Sequence, residues 1–259
     1  MHHNIQILYY LFFYCFTEKK TINESLLESS KFAEAMGISG TTKQSICNIF
    51  AMLRKKIKDN MHKRWSTTML GEDPTDEGFS TIEIDESSII GNSTIVYWMF
   101  GLIQRNTKEA RIYCVLNDRT KNNLPSFVKN NVITVNIDND LSEEESCNTR
   151  IYSDCFASYN IDDFRNLGFI LKRVNHSVWF GYGLFHTNNV ESLWGQIKRY
   201  CNNFSGLSIE FLQNKFNNNN NLIRDYLDGW ICYSLFIRDI IRFKLSWSKR
   251  IDLLCDHLK

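Results

Sequence analysis

A chain of 259 residues, 43% hydrophobic and 23% charged, has enough apolar material for one sizeable core or two modest ones. Two prolines and twelve glycines exclude a low-complexity or fibrous protein. The formal net charge of +1 conceals an asymmetry: residues 1–65 carry ten Lys/Arg against five Asp/Glu, whereas 71–90 carry seven acidic residues and no Lys or Arg. Such a pairing suits a polyanion-binding segment beside a cation-binding one, and it equally describes two solvated surfaces of opposite sign.

The eight cysteines include no C-x-x-C pair and no histidine pair that would complete a zinc pattern. Scattered through apolar stretches, they read as reduced, buried small side chains rather than a disulfide framework. The apolar run 7–16 (ILYYLFFYCF) is too short to span a bilayer and lacks a basic start and a cleavage site, so it is expected to be a buried helix and no membrane partner is expected.

Residues 1–65 read as a helical segment. Within 32–57 a short helix, a turn at Gly37, Ile38, Ser39 and Gly40, and a longer helix follow one another. In the second helix Ile46, Ile49, Phe50, Leu53 and Ile57 recur at helical spacing. Ser39 or Thr41 is the expected cap. Lys43, Arg54, Lys55, Lys56 and Lys58 fall largely off the apolar face. This is a helix-turn-helix pattern with basic residues on the second helix, and it is also the pattern of many helical hairpins that bind nothing.

Residues 66–80 form a polar linker with glycine and proline. Three strands follow, 81–86 (TIEIDE), 94–104 and 110–116, the last pair joined by a turn at Asn106, Thr107 and Lys108. A helix is expected over 124–132, an acidic loop over 136–149, a strand over 150–153, a helix over 158–167 and a strand over 169–174. A firm helix over 187–203 carries Val190, Leu193, Trp194, Ile197 and Cys201 on one stripe. Residues 204–259 read as a helical extension broken by the asparagine run at 217–221. Three meandering strands and then helix, strand, helix, strand and helix predict an α/β domain over 81–203 with a ribonuclease-H-like mixed sheet.

Two-metal phosphodiester chemistry needs carboxylates that converge from different elements, and hard divalent cations prefer oxygen ligands. Asp85, Asp154 and Glu191 are the candidates. Each also has a plain structural reading. Asp85 can end a strand in a region made acidic by Glu83 and Glu86, Asp154 can cap the turn or helix after Ser153, and Glu191 can meet a helix dipole. On the helical wheel Asn188, Glu191, Gly195 and Lys198 share one rim, which suits either a metal–phosphate site or a solvated Glu–Lys face.

Six ordered pieces carry a resemblance: IEIDES at 82–87, FGLIQR at 100–105, Asp118 with Arg119, IYSDCFASY at 151–159, VNHS at 174–177, and HTNNVESLW at 186–194 with Lys198 and Arg199. Together, over roughly residues 35–200, they resemble insertion-sequence-like transposases of the Merlin type. The resemblance implies a DDE-superfamily catalytic domain holding two Mg²⁺ (or Mn²⁺) ions. Asp85 and Asp154 would be the first two ligands, and Glu191 the third, with Asn188 as the alternative. His176 and His186 match family positions that orient a water or contact DNA, and each is equally readable as a structural histidine. The preceding helix-turn-helix, with Lys43, Arg54, Lys55 and Lys58, and later Lys198 and Arg199, would contact double-stranded DNA: transposon ends and target. A homo-oligomer and a nuclear location in a eukaryote, or a cytoplasmic or nucleoid one otherwise, are further implications. The sequence departs from some relatives in having no cysteine-rich zinc ribbon, and in an acidic insert around 138–145. A domesticated, inactive DNA-binding descendant is therefore the alternative reading.

Overall fold

The computed structural model describes residues 7, 10–72, 80–91, 94–116, 124–133, 149–154, 159–174, 186–205, 208–243, 249 and 256. Two compact units divide the chain, one made of 1–62 with 232–259 and the other of 63–231.

In the first unit the apolar run forms a buried π-helical turn, Leu11–Phe16, with Leu11, Cys15 and Phe16 all sequestered from solvent. Helix α1 (Ile22–Ala35) opens with a reciprocal capping box. Thr21 Oγ1 accepts the Glu24 amide at 3.2 Å, and Glu24 accepts the Thr21 amide at 2.7 Å. Gly37, at φ +62°, turns the chain in the left-handed conformation that lets α1 stop. Helix α2 (Lys43–Trp65) is capped by Thr42, whose Oγ1 accepts the Ser45 amide at 3.1 Å; neither Ser39 nor Thr41 plays that part. The turn is therefore longer than the glycines suggest. Ile46, Ile49, Phe50, Leu53 and Ile57 are buried as their spacing requires. Two helices joined by a turn are present, and Phe16 packs edge-on to Phe50 at 5.2 Å.

The second unit opens with a meander. Strand β1 (Ser80–Gly91) pairs antiparallel with β2 (Val96–Gln104), and β2 with β3 (Ala110–Leu116). β1 is twice the expected length because Ser87 and Ser88, poor strand formers alone, are held extended opposite Met99 and Trp98. Helix α3 (Leu124–Lys129) leads on to β4 (Thr149–Ser153), which pairs parallel with β1. Helix α4 (Ile161–Arg165) precedes β5 (Ile170–Arg173), which is parallel to β4. The remaining elements are α5 (Asn188–Ser205), α6 (Ile209–Lys215) and α7 (Asn220–Arg242). The sheet order is β3-β2-β1-β4-β5. An antiparallel meander joined through its first strand to two parallel strands is the mixed, helix-flanked, ribonuclease-H-like sheet that the order of elements predicts.

One face of the sheet buries Ile82, Ile84, Phe100, Leu102, Ile151 and Leu171 in a core shared with Leu124 and Val128 of α3 and Phe164 of α4. The opposite face receives α5. The outward amide of Cys114 on edge strand β3 donates to Asp228 of α7 at 2.8 Å, so the unpaired edge meets a helix rather than water. Arg111 of β3 is wholly buried, and its charge is tolerated because it donates to Trp65 O, Thr68 O, Thr68 Oγ1 and Asn131 Oδ1 at 2.9–3.1 Å. The stretch read as a C-terminal extension from residue 204 is divided: α6 and the first half of α7 lie in the sheet unit, and the chain from Cys232 lies in the other.

Candidate active site

Strand alternation places Glu83 and Asp85 on one face of β1 and Ile82, Ile84 and Glu86 on the other. β1 and β4 run in parallel register, with Ile82 beside Ile151 and Glu83 beside Tyr152. Continuing that register two residues past the last paired position would set Asp85 opposite Asp154, the residue after β4. That point lies just past the C-terminal end of the β1–β4 ladder, within the longer β1.

Asp85 is half-buried, and its Oδ2 accepts the indole N–H of Trp194 at 2.8 Å. Burial raises its pKa to about 6. The indole hydrogen bond opposes that rise, and the charges of Asp154 and Glu191 add to it. Glu191 therefore lies within electrostatic reach of Asp85. Its Oε1 accepts the Thr187 hydroxyl at 2.8 Å, so the carboxylate is folded over the start of its own helix. Among the described residues no three His, Cys, Asp or Glu side chains stand close enough to hold a metal ion. Asp154 and Glu191 act electrostatically on Asp85 without forming such a group among the described residues. The donors themselves fit a hard divalent cation, being carboxylate oxygens whose mutual repulsion a cation would relieve.

Glu83 is the residue that sequence reasoning undervalued. Its side chain is fully buried and ringed by donors. Arg105 Nε lies 2.6 Å from Oε1, Asn189 Nδ2 2.7 Å from Oε1, and the Asn189 and Val190 amides 2.8 and 3.1 Å from Oε2. Glu83 thus accepts the orphan amides of the first turn of α5 and pins that helix to the sheet. Arg105 also donates to the His186 carbonyl and stacks over the Tyr152 ring at 4.4 Å. Lys108, held at φ 59° in the β2–β3 turn, donates to Asn189 Oδ1 at 2.6 Å. A charged residue two positions from Asp85, inside an alternating Ile-Glu-Ile run, was the available signal. Such a position faces inward and requires partners.

His186 is half-buried, and burial, followed by the charge of Arg105, holds its pKa below the ordinary imidazole value against the pull of Glu83. Its Nδ1 accepts the Asn188 amide at 3.3 Å, which requires an unprotonated nitrogen. The 3.4 Å approach of Nδ1 to Glu83 is therefore a neutral contact and not an ion pair. Asn188 itself is exposed, as are Glu191 and Gly195, and Lys198 is half-buried, so the rim drawn on the helical wheel faces solvent. Arg199 is exposed. His176 lies outside the described residues.

In the first unit Lys43 and Lys55 are exposed and Arg54 is half-buried, with Lys55 2.6 Å from Asp59. Lys58 corrects the expectation of an outward cation. It is only 7% exposed, because it follows Ile57 inside a buried stripe that widens toward Met61, and its ammonium lies 3.4 Å from Asp59.

No protein-family model matches the chain, and no curated protein matches it. Solved structures similar to it include the HTLV-2 integrase catalytic core domain in complex with magnesium, at 12% identity over 61% of this chain and 86% of that chain, with a TM-score of 0.33. Another is the simian T-cell lymphotropic virus intasome in complex with PP2A regulatory subunit B56 gamma, at 12% identity and a TM-score of 0.31. That match covers 76% of this chain and 58% of the other. Likeness at this level bears on no residue of the site; the fold rests on strand order and register. No helix among the described residues is long and apolar enough to cross a membrane.

Proposed function

We propose that this protein is a divalent-metal-dependent polynucleotidyl transferase of the DDE transposase and integrase kind, which cleaves DNA at transposon ends and joins the freed 3′-hydroxyl to target DNA. The observation that supports this reading is the β1–β4 register, whose continuation by two residues would set Asp85 opposite Asp154, together with the influence of the Asp154 and Glu191 charges on Asp85. Asp85 and Asp154 would hold the cations, with Glu191 as the third ligand and Asn188 as its alternative. Two Mg²⁺ or Mn²⁺ ions, when bound, would supply nucleophile activation and leaving-group stabilisation. Asp85 and Asp154 fix where that chemistry happens, and Glu83 with Arg105 fixes the helix that brings the third ligand. Lys198 and Arg199 on α5, and Lys43, Arg54 and Lys55 on the helical hairpin, would bind the phosphates of double-stranded DNA, and Lys58 takes no direct part. His186, neutral and hydrogen-bonded, is suited to supporting the helix start, and His176 stays assigned by the sequence pattern alone. The ordered pieces of sequence favour the Merlin type within this class, acting as a homo-oligomer in the nucleus of a eukaryote or the cytoplasm of a prokaryote.

The test is Mn²⁺-dependent nicking and strand transfer on plasmid DNA, with DNA binding measured in parallel. Asp85→Asn and Asp154→Asn are each expected to reduce both reactions to background while plasmid DNA is still bound. Full activity in either variant overturns the site. A second reading, a domesticated DNA-binding protein without catalysis, is favoured by one observation: no complete three-ligand group stands among the described residues. It predicts DNA binding with no Mn²⁺-dependent cleavage by the unaltered chain.

A further inference from the structure

Asp85 and Gly101 face each other across the β1–β2 pair, so a side chain at 101 would point to the same side of the sheet as the Asp85 carboxylate. No side chain is there, and the space is taken by Trp194. A Cβ built on Gly101 would lie 2.3 Å from the Cη2 of that indole and 2.9 Å from its Cζ2. Trp194 is only 5% exposed, and its N–H reaches Asp85 Oδ2 at 2.8 Å. The glycine thus forms the floor of a slot, and the slot aims the indole donor at one oxygen of the first expected metal ligand.

The same helix is tied to the same strand one turn earlier, where Glu83 accepts the Asn189 and Val190 amides. Two residues along a strand span about 7 Å. The five residues from Asn189 to Trp194 rise about 7.5 Å along a helix. These repeats match, so two carboxylates on one face of β1 engage successive turns of α5 without bending either element. Sliding α5 by one residue along β1 would break both contacts at once.

We propose that Gly101 and Trp194 form a lock that orients Asp85 for metal binding: the indole holds Oδ2 and, with the backbone hydrogen bond from Glu86, fixes the carboxylate in the direction from which a cation shared with Asp154 would bind. Trp194 is in this sense a positioning residue, acting through Asp85 and touching neither metal nor DNA. The inference rests on the metal-dependent reading above. Outer partners of a ligating carboxylate fix its orientation, and their loss lowers metal affinity by about 10- to 100-fold in known sites. The contrary role is also chemically open, because an indole bound to Asp85 competes with a cation for the carboxylate. The experiment separates the two.

Mn²⁺ binding to the full chain, measured by electron paramagnetic resonance of the free ion, is compared for the unaltered protein, Trp194→Phe and Gly101→Ala. Trp194→Phe keeps a ring in the slot and removes the donor. Gly101→Ala keeps the donor and drives the ring out. Each is expected to weaken Mn²⁺ binding about tenfold or more. Binding as tight as in the unaltered chain, or tighter, overturns the proposal. If the unaltered chain binds no Mn²⁺, the metal-dependent function fails and the metal-orienting role fails with it. The contact itself is then read in the metal-free protein from hydrogen exchange of the Trp194 indole proton, identified by its disappearance in Trp194→Phe. Protection lost in Asp85→Ala is the expected result, and unchanged protection overturns the lock.

Discussion

Glu83 and Asp85 stand two residues apart on the same face of β1, and their surroundings are opposite. Around Glu83 are the Arg105 guanidinium, the Asn189 side-chain amide and two backbone amides at a helix N-terminus. Around Asp85 are the Trp194 indole N–H, a backbone hydrogen bond from Glu86 and the charges of two further carboxylates, Asp154 and Glu191. A buried carboxylate ringed by donors ties elements together. A half-buried one beside like charges is held in an electrostatically unfavourable state that a cation would relieve. The pair teaches that burial alone does not mark a functional acid. The marker is burial with too little compensating charge.

The largest expected effect breaks the compensated side. Glu83→Ala leaves Arg105 without its carboxylate and the first turn of α5 without its acceptor, and should cost about 3–5 kcal/mol in urea unfolding. A cost below about 1 kcal/mol would show that Glu83 does not pin the helix, since that is the range of an exposed pair.

Next comes the uncompensated side, with the opposite sign. Asp85→Asn keeps an oxygen for the Trp194 indole and removes a charge that burial disfavours. With the folded pKa raised from 3.8 to about 6, the ionised carboxylate destabilises the metal-free protein by up to about 3 kcal/mol at pH 7. The sign follows from the raised value. The native state keeps its full relative stability below about pH 4, loses it progressively as pH rises, and reaches the full penalty above about pH 6. Asp85→Asn should therefore raise the Tm of the metal-free protein at pH 7 and leave it nearly unchanged near pH 4. A lowered Tm at pH 7 would place Asp85 among the stabilising acids and erase the contrast with Glu83.

The smallest effect sharpens the boundary between the two. His186 touches the Glu83 cluster, and its ring protons should titrate by NMR with a midpoint below the ordinary imidazole value. Glu83→Gln removes the charge that pulls this midpoint upward and should lower it further. A midpoint at or above the ordinary value, or a rise in Glu83→Gln, would mean that the cluster presents a protonated histidine.

The legible and illegible parts differ in range. Strand β3 runs from Ala110 to Leu116, as its apolar run and the turn before it imply, and the buried positions Val190, Leu193, Trp194 and Ile197 follow from helical spacing. Both depend on neighbours within a few residues. The Thr42 cap, the doubled length of β1 and the burial of Lys58 were missed. A cap depends on where the turn closes, a polar strand end depends on what pairs with it, and a lysine depends on what covers its face of the helix. Asp85, Asp154 and Glu191 could be named through ordered resemblance. Gly101 and Trp194 looked like a strand glycine and a core aromatic, and nothing local to either one points to the other.

What the amino-acid sequence by itself determined is the kind and order of elements, and through the meander and the alternating strands and helices after it, a mixed sheet with its acidic residues on particular strands and helices. Periodicity and turn chemistry act over a few residues and are written into the chain directly. The tertiary structure alone decided that β4 adds parallel to β1, that Glu83 receives a helix start 106 residues away in the chain, and that an indole fills the space over Gly101. Those outcomes depend on pairing between distant segments. Buried charges must find their partners and backbone amides their acceptors, and such contacts exist only once the sheet and helix have met.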